Sequence, residues 1–194
     1  MFEALYSYIN SYASTPLTKD QEILIEQTLK TKKFRKKQYL LQEGQVCQYA
    51  AFIVKGAARQ YTVDEKGAEH IVQLCIENWW AVDRESYIML TPSIYNIDAW
   101  EEVDAILMTN AEYQQFSQSI PAFQELSRKL DERNYIATHK RLNASLNLSA
   151  EKRYSELASR YPEFLQRFPQ HLIASYLGIT PETLSRVRHA SLKK

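Results

Sequence analysis

The residues best suited to a binding role lie close together near the C-terminus, in the segment TPETLSRVRH at 180–189. The carboxylate of Glu182 can accept a hydrogen bond from cytosine N4, and the guanidinium of Arg186 can bind guanine O6 and N7 as a fork. Short hydroxyl side chains in the same segment suit phosphate oxygens. These types and spacings predict a DNA-binding surface formed by Thr180, Pro181, Glu182, Thr183, Ser185, Arg186, Arg188 and His189.

Two short helices joined by a tight turn must position these side chains. Apolar residues within 173–177 share one face of the first helix, and those within 184–187 share one face of the second. Gly178 supplies the corner, because glycine readily adopts the positive φ that closes a helix. Thr180 can cap the second helix and Pro181 fits its first turn. The alternative is a two-helix hairpin that only packs in a core.

The segment from Phe168 to Lys194 resembles the helix-turn-helix of the cyclic-AMP receptor / fumarate-nitrate regulator (CRP/FNR) superfamily of bacterial transcription factors. The resemblance depends on the pattern small-x-x-hydrophobic-Gly-hydrophobic, which continues directly into TPETLSRVR. It implies that Glu182 and Arg186 contact bases, since both positions match family base readers. It also implies that Pro181 stands where relatives often carry a third, basic reader. The residues implied to contact the DNA backbone are Thr180, Thr183, Ser185, Arg188 and His189.

The bulk composition is that of a globular protein, with 194 residues of which 45% are hydrophobic. The two cysteines, Cys47 and Cys75, form no metal motif and are too few to staple a secreted fold. The first residues lack the basic region and apolar core of a signal peptide, and no apolar run is long enough to span a bilayer. We therefore expect a cytoplasmic protein that binds no membrane and uses no metal or cofactor.

Charge is divided unevenly along the chain. Residues 121–194 carry 13 Lys+Arg and 7 Asp+Glu, a net charge of +6, whereas residues 1–120 carry 11 and 16, a net charge of −5. An acidic N-terminal part and a basic C-terminal part are consistent with a sensor or scaffold joined to a module that binds a polyanion.

The middle of the chain, from Phe34 to Met108, breaks into short β-rich segments separated by turns, with a hairpin loop predicted at Asp64–Gly67. Closely spaced antiparallel strands favour a small barrel or jelly roll. The segment FIVKGAARQYTVDEKGAEHIVQL resembles the cyclic-nucleotide-binding β-roll of the same superfamily. That resemblance implies a pocket with a Gly-Glu pair and an arginine, but the pair is missing and no arginine lies near Ser93 to Asp98. We therefore expect no response to cyclic AMP.

The roll either binds another effector or serves as a scaffold without a ligand. Aromatic and charged residues could line an effector pocket, although aromatic residues are more often part of a core. The candidates for this pocket are Trp79, Trp80, Asp83, Arg84 and Trp100.

Helices are predicted on both sides of the roll. Capping boxes at Thr18–Gln21 and Thr109–Glu112 each open a helix, and Pro121 opens a longer one that reaches about Leu148. In the CRP/FNR superfamily the corresponding long helix pairs two subunits. Two recognition helices that bind an inverted repeat are related by a two-fold axis, which such a pairing supplies. The alternative is an amphipathic helix that packs only on its own roll. The predicted seam has 3-4 spacing at Phe123, Leu126, Leu130, Arg133, Ala137, Lys140 and Ala144.

These observations predict an α+β fold with an N-terminal cyclic-nucleotide-binding-like antiparallel β-roll, or jelly roll. Residues 1–120 form the N-terminal helices and roll, 121–148 a dimerisation helix, and 149–194 a helix-turn-helix domain of winged-helix-like type. The expected function is a homodimeric, sequence-specific DNA-binding transcription regulator that reads an inverted repeat in double-stranded DNA. RNA polymerase and an unknown small-molecule effector are further candidate partners.

Two other functions are alternatives to this one. The first is a ligand-binding or adaptor protein whose helix-turn-helix does not bind DNA. The second is an enzyme, which the sequence disfavours because it contains no HExxH, GxxxxGK[ST] or GxSxG motif and no close His/Cys cluster. We therefore predict no catalytic residues.

Overall fold

The fold was obtained as a computed structural model, which describes residues 1–191; the last three residues of the predicted C-terminal segment, 192–194, lie outside the described residues. The strands are β1 Lys30–Phe34, β2 Tyr39–Leu41, β3 Tyr49–Lys55, β4 Ala58–Val63, β5 Glu69–Cys75, β6 Trp80–Ala81, β7 Asn96–Ala99 and β8 Val103–Thr109. The helices are α1 Phe2–Tyr12, α2 Lys19–Thr28, α3 Arg84–Met89, α4 Asn110–Ser119, α5 Pro121–Asn147, α6 Ala150–Arg160, α7 Pro162–Arg167, α8 Gln170–Leu177 and α9 Pro181–Ser191.

The strands form two antiparallel four-stranded sheets that enclose a common core and together make the roll. The first sheet has the order β1-β8-β3-β6 and the second has the order β2-β7-β4-β5. Small and branched side chains such as Ala51, Ala58, Ile97 and Ala105 point between the sheets and are almost completely buried. The predicted antiparallel roll is therefore confirmed.

Local sequence patterns place several helix and turn boundaries as predicted. Both capping boxes form, with the hydroxyls of Thr18 and Thr109 accepting from the backbone N–H three residues later. The hairpin between β4 and β5 closes through Asp64, whose backbone N–H donates to the carbonyl of Ala68 over 3.0 Å. Ser149 caps α6 by accepting from Lys152 N.

Two elements of the roll differ from the prediction. The first strand begins at Lys30 rather than Phe34, because the lysine-rich segment Lys30–Phe34 forms the edge strand β1, which pairs with β8 on one side only. Helix α3 was not predicted; it is short, and its N-terminus is fixed by Asp83, whose carboxylate accepts from Ser86 N over 3.5 Å.

The long helix α5 runs from Pro121 to Asn147, as predicted, but its apolar faces are arranged differently. The first half of the predicted seam, including Phe123 and Leu126, is buried against α1, α4 and the roll. Further along the same face, Arg133 donates to the hydroxyl of Tyr12. The first half of this face is therefore occupied within the chain, which agrees with the alternative of packing on the chain's own roll. For the second half, at Ala137, Lys140 and Ala144, the seam stays a prediction.

The opposite face of α5 carries an exposed stripe of three apolar side chains and one histidine. Tyr135, His139, Leu142 and Leu146 recur at intervals of 4, 3 and 4 residues, which is the spacing of a two-stranded helix seam. Leu146 is 74% exposed and Tyr135 is 68% exposed. At 3.6 residues per turn this stripe lies about half a turn around the helix from the predicted seam.

Candidate nucleic-acid interface

The corner between α8 and α9 is closed by Gly178. Its φ of 65° lies in the left-handed region that glycine adopts without strain. Its N–H donates to the carbonyl of Ser175 over 3.0 Å, and the N–H of Ile179 donates to Ala174 over 3.0 Å. These bonds satisfy the terminal carbonyls of α8 and set the direction in which the chain enters α9.

The two helices pack through a small apolar contact. Ile173 and Ala174 of α8 and Leu184 and Val187 of α9 are all buried. Ala174 is fully buried, and its single methyl group allows the two helices to approach closely. The predicted helix-turn-helix geometry is therefore confirmed over the residues that carry its packing.

The start of α9 is capped as its sequence predicts. The hydroxyl of Thr180 accepts from the N–H of Thr183 over 3.2 Å. A hydrogen bond from its own backbone N–H, with a smaller effect from the nearby Thr180 side chain, lowers the pKa of Glu182 below the ordinary value. Glu182 is therefore an acceptor-only carboxylate at neutral pH, as pairing with cytosine N4 requires.

The predicted DNA-binding residues lie on the side of α9 that faces away from α8. Thr180, Pro181, Glu182, Arg186 and His189 are exposed, and Thr183, Ser185 and Arg188 are partly exposed. Burial thus separates the packing residues from the candidate contact residues within one helix. The structure brings all eight candidates onto one short element.

Helix α6 supports this surface in a way that sequence reasoning missed. Arg153 donates from Nη1 to the carbonyl of Leu177 over 2.6 Å and so fixes the last turn of α8. Glu151 at the start of α6 lies close enough to Arg186 for the arginine charge to help lower the Glu151 pKa, after larger effects from its own backbone N–H and Ser149. Since Arg153 and Leu177 are 24 residues apart, no local spacing could have revealed the contact.

Comparison with known proteins places this arrangement among described folds. Residues 31–119 match the family model of the cyclic nucleotide-binding domain. The chain is similar to a CooA mutant from Carboxydothermus hydrogenoformans, with 16% identity, coverage of 91% of this chain and 81% of that chain, and a TM-score of 0.71. It is also similar to a protein from Eubacterium rectale assigned to the CRP/FNR family of transcriptional regulators, with 17% identity, coverage of 91% and 85%, and a TM-score of 0.65. This is the CRP/FNR fold.

FixK2 from Bradyrhizobium japonicum shares the CRP/FNR fold with this chain at 17% identity, covering 84% of each chain with a TM-score of 0.67. No curated protein matches the sequence. The family resemblance and the α+β fold class predicted from the sequence are thus confirmed at the level of the fold.

The candidate effector-pocket residues are spread over several parts of this CRP/FNR fold. Trp79 packs against Tyr161 and Phe164 of the C-terminal helices, with ring centroids 5.4 and 5.8 Å away. Trp80 packs against Phe52, and Trp100 against Phe168. The three tryptophans therefore belong to hydrophobic packing, the alternative that the sequence left open.

The two charged candidates also have structural partners. Asp83 caps α3, and Arg84 forms a 2.5 Å ion pair with Asp131 of α5. Since all five candidates are engaged in packing or pairing, these contacts give no support to a common effector pocket.

A cavity of about 40 Å³ lies between the sheets. It is lined mainly by apolar side chains, among them Phe34, Leu41, Cys47, Ala51 and Ile97. Ligand pockets for molecules of drug size typically occupy about 300–1,000 Å³. A cyclic nucleotide therefore does not fit this cavity without movement of the surrounding strands.

The described residues offer no metal cluster and no membrane-spanning helix. Between residues 1 and 191, no group of three or more His, Cys, Asp and Glu side chains is arranged to hold a metal ion. In the same range, every helix is too short or too polar to traverse a bilayer. Both cysteines are buried as free thiols, and burial raises the pKa of Cys75 to about 12.

Proposed function

We propose that the protein is a sequence-specific DNA-binding transcription regulator of the CRP/FNR type that acts as a homodimer in the cytoplasm. The observation that carries the proposal is the division of α9 into two faces. Leu184 and Val187 anchor the helix in the core, while Glu182, Arg186 and His189 face outward. A helix held this way can enter the major groove, which is wide enough to admit it.

Within the groove, Glu182 and Arg186 contact bases. The two side chains are four residues apart and therefore project from the same side of α9, one turn from each other. A carboxylate there selects cytosine and a guanidinium selects guanine. The residues that contact phosphates and fix the register are Thr180, Thr183, Ser185 and Arg188, with His189 at the end of the surface.

The division into three parts follows from the same proposal. Residues 1–120 supply the roll and its N-terminal helices, 121–148 the dimerisation helix, and 149–194 the DNA-binding domain. The exposed stripe at Tyr135, His139, Leu142 and Leu146 supplies the surface for a second α5, because apolar side chains at seam spacing gain stability when a partner helix buries them.

A two-fold dimer presents two copies of α9. These copies read half-sites about 34 Å apart along one face of the duplex, which gives an inverted repeat. Cyclic AMP plays no part in the proposed mechanism, since the roll cavity is too small to accept it.

The proposal is tested by selecting bound fragments from sheared genomic DNA of the source organism with the purified protein and sequencing them. We expect enrichment of a single inverted repeat with half-sites about ten base pairs apart. Fragments that match the input library, with no shared motif, would contradict the function and favour an adaptor with this fold.

A further inference from the structure

The helices that carry the DNA-reading surface are packed directly onto the roll. We call helices α6–α9 the head. Tyr61, Ile71 and Leu74 on the outer side of the second sheet form one hydrophobic cluster with Phe168 and Leu172 of the head. Apolar side chains on the outer face of a sheet are more stable when another element buries them away from water, and here the head does so.

A single arginine reinforces this contact with charge. Arg167, the last residue of α7, donates from Nε and Nη2 to the carboxylate of Glu101 over 3.1 and 2.6 Å. It also donates from Nη1 and Nη2 to Glu77, the second bond being 3.1 Å long. Glu77 follows β5 and Glu101 follows β7, so one guanidinium joins the head to two separate loops of the roll. The backbone carbonyl of Arg167 accepts from Trp100 Nε1 over 3.2 Å.

The free edge of the second sheet provides another attachment. Strand β5 is at the end of the sheet, so its outward N–H and C=O groups need partners. The hydroxyl of Ser175 in α8 accepts from Ile71 N over 2.9 Å and donates to the carbonyl of Glu69 over 3.3 Å. Arg141 of α5 donates to the carbonyl of Val72 in the same strand.

Arg141 links this edge to the long helix. Its guanidinium lies 5.4 Å from the ring centroid of Tyr176 in α8 while it bonds to β5. Helices α5 and α8 are thus both hydrogen-bonded to strand β5. The direction of α9 relative to α5 is therefore determined by contacts inside one subunit.

We propose that these contacts form an intramolecular lock, made of Arg167, Glu77, Glu101, Ser175 and Arg141, that holds the head ready to bind DNA without an effector. The proposal rests on the DNA-binding function proposed above. The lock engages α7 and α8 and leaves the outward side chains of α9 exposed, so the held pose is compatible with entry into a groove. A head that moved freely would occupy this pose for only a fraction of the time, and its apparent affinity would fall by that fraction.

The test compares the full-length protein with Arg167→Gln, which removes the charge and the fork, and with Arg160→Gln as a control. Arg160 is also an arginine of the head, but it is exposed and stacks on Tyr161 beside it in sequence. Binding is measured by fluorescence anisotropy on a fragment selected from genomic DNA. We expect Arg167→Gln to weaken binding about tenfold or more, with Arg160→Gln close to wild type.

Amide hydrogen exchange measures the lock without DNA. We expect faster exchange at Ile71 and along the outer edge of β5 in Arg167→Gln and in Ser175→Ala, with the other strands still protected. The double variant Glu77→Gln/Glu101→Gln keeps Arg167 and should reproduce both the weaker DNA binding and the faster exchange at β5. Agreement between the variants would show that the effects do not arise from a folding defect of one substitution.

The outcomes separate the two proposals. Wild-type protein that binds no duplex overturns the function, and the lock's role with it. Equal DNA affinity in wild type and Arg167→Gln overturns the lock alone. Tighter binding by Arg167→Gln also overturns it, because the contacts would then hold the head in an inactive pose. Unchanged exchange at β5 in all three variants shows that the head is held by its apolar contact only.

Discussion

In helix α9, Nη2 of Arg186 donates a hydrogen bond to the hydroxyl of Thr183 over 3.4 Å. The same hydroxyl accepts from Thr180 Oγ1 over 3.2 Å. This short chain restricts the Arg186 side chain on the outer face of the helix before any DNA is present. A restricted guanidinium loses less conformational freedom when it pairs with a base, which favours a role in sequence recognition.

Replacing Arg186 with alanine should therefore reduce specificity more than general affinity. We expect Arg186→Ala to cost about 1–3 kcal/mol at one base pair of the operator and to relax the preference there. The side chain is exposed, so the fold should be unaffected. The measurement is a set of anisotropy titrations on operators that differ at single positions; equal losses on operator and random DNA would refute the assignment.

The exposed stripe of α5 predicts which substitutions dissociate the dimer. Leu142 is 55% exposed, and a carboxylate placed there would be buried against the partner helix, so Leu142→Glu should give a monomer in analytical ultracentrifugation. The matched control is Ile23→Glu on α2, where the wild-type side chain is 51% exposed away from the stripe. A Leu142→Glu variant that sediments like wild type would show that another surface pairs the subunits.

The opposite face of α5 should contribute to stability within one subunit. Leu126 is 1% exposed, so Leu126→Ala should lower the free energy of unfolding by about 2–5 kcal/mol through lost burial and a cavity. Leu146→Ala makes the same chemical change at an exposed site. Under conditions where the protein is monomeric, it should alter the free energy by no more than about 0.5 kcal/mol. Urea titrations of both variants decide the point, and similar losses would mean that the two faces have been assigned wrongly.

Glu125 predicts a pH dependence of stability. Its carboxylate accepts from Lys129 Nζ over 2.8 Å and from the backbone N–H and hydroxyl of Ser14 over 2.6 and 2.9 Å. The Lys129 bond first, then those from Ser14, lower the pKa of Glu125 from 4.5 to about 2. Because the folded pKa lies below the unfolded one, these contacts stabilise the fold above pH 4.5 and lose their effect as the pH falls towards 2.

Glu125→Gln should therefore unfold at lower temperature than wild type at pH 7, and the difference should shrink steadily as the pH falls from about 4.5 towards 2. Glu65→Gln, in the exposed β4–β5 turn, serves as the control. A difference between Glu125→Gln and wild type that stayed constant down to pH 2 would contradict the proposed contacts.

The small cavity of the roll predicts that cyclic AMP has no effect on thermal stability. A ligand that binds only the folded state raises the melting temperature in a saturable way. We expect no such rise in a thermal-shift titration with cyclic AMP or cyclic GMP. A clear saturable increase would show that the strands around the 40 Å³ cavity move to admit the nucleotide.

Features determined by neighbouring residues were predictable from the sequence. The two capping boxes, the Asp64–Gly67 hairpin and the glycine corner at Gly178 depend on residues within a few positions of one another. The outward surface of α9 also follows from local spacing, since Leu184 and Val187 define its buried side.

Features determined by distant contacts were not predictable. A 3-4 pattern on α5 does not reveal whether its apolar face meets the chain's own roll or a partner. Only the three-dimensional structure shows that Leu126 is buried within the chain while Leu146 is exposed. Arg167 lies 90 residues from Glu77 and 66 from Glu101, so nothing in the local sequence marks it as the link between head and roll. For the tryptophans, the sequence favoured a core over a pocket only as a general tendency, and their packing partners identify them as core.

The most direct test of DNA recognition by α9 is an anisotropy titration of the wild-type protein on a selected genomic fragment at several salt concentrations. We expect tight binding at low salt that weakens steeply and linearly in log Kd against log salt, because phosphate contacts release counterions. A scrambled duplex should bind more weakly at every salt concentration. Absence of binding at the lowest salt concentration, or equal affinity for both duplexes, would contradict the account.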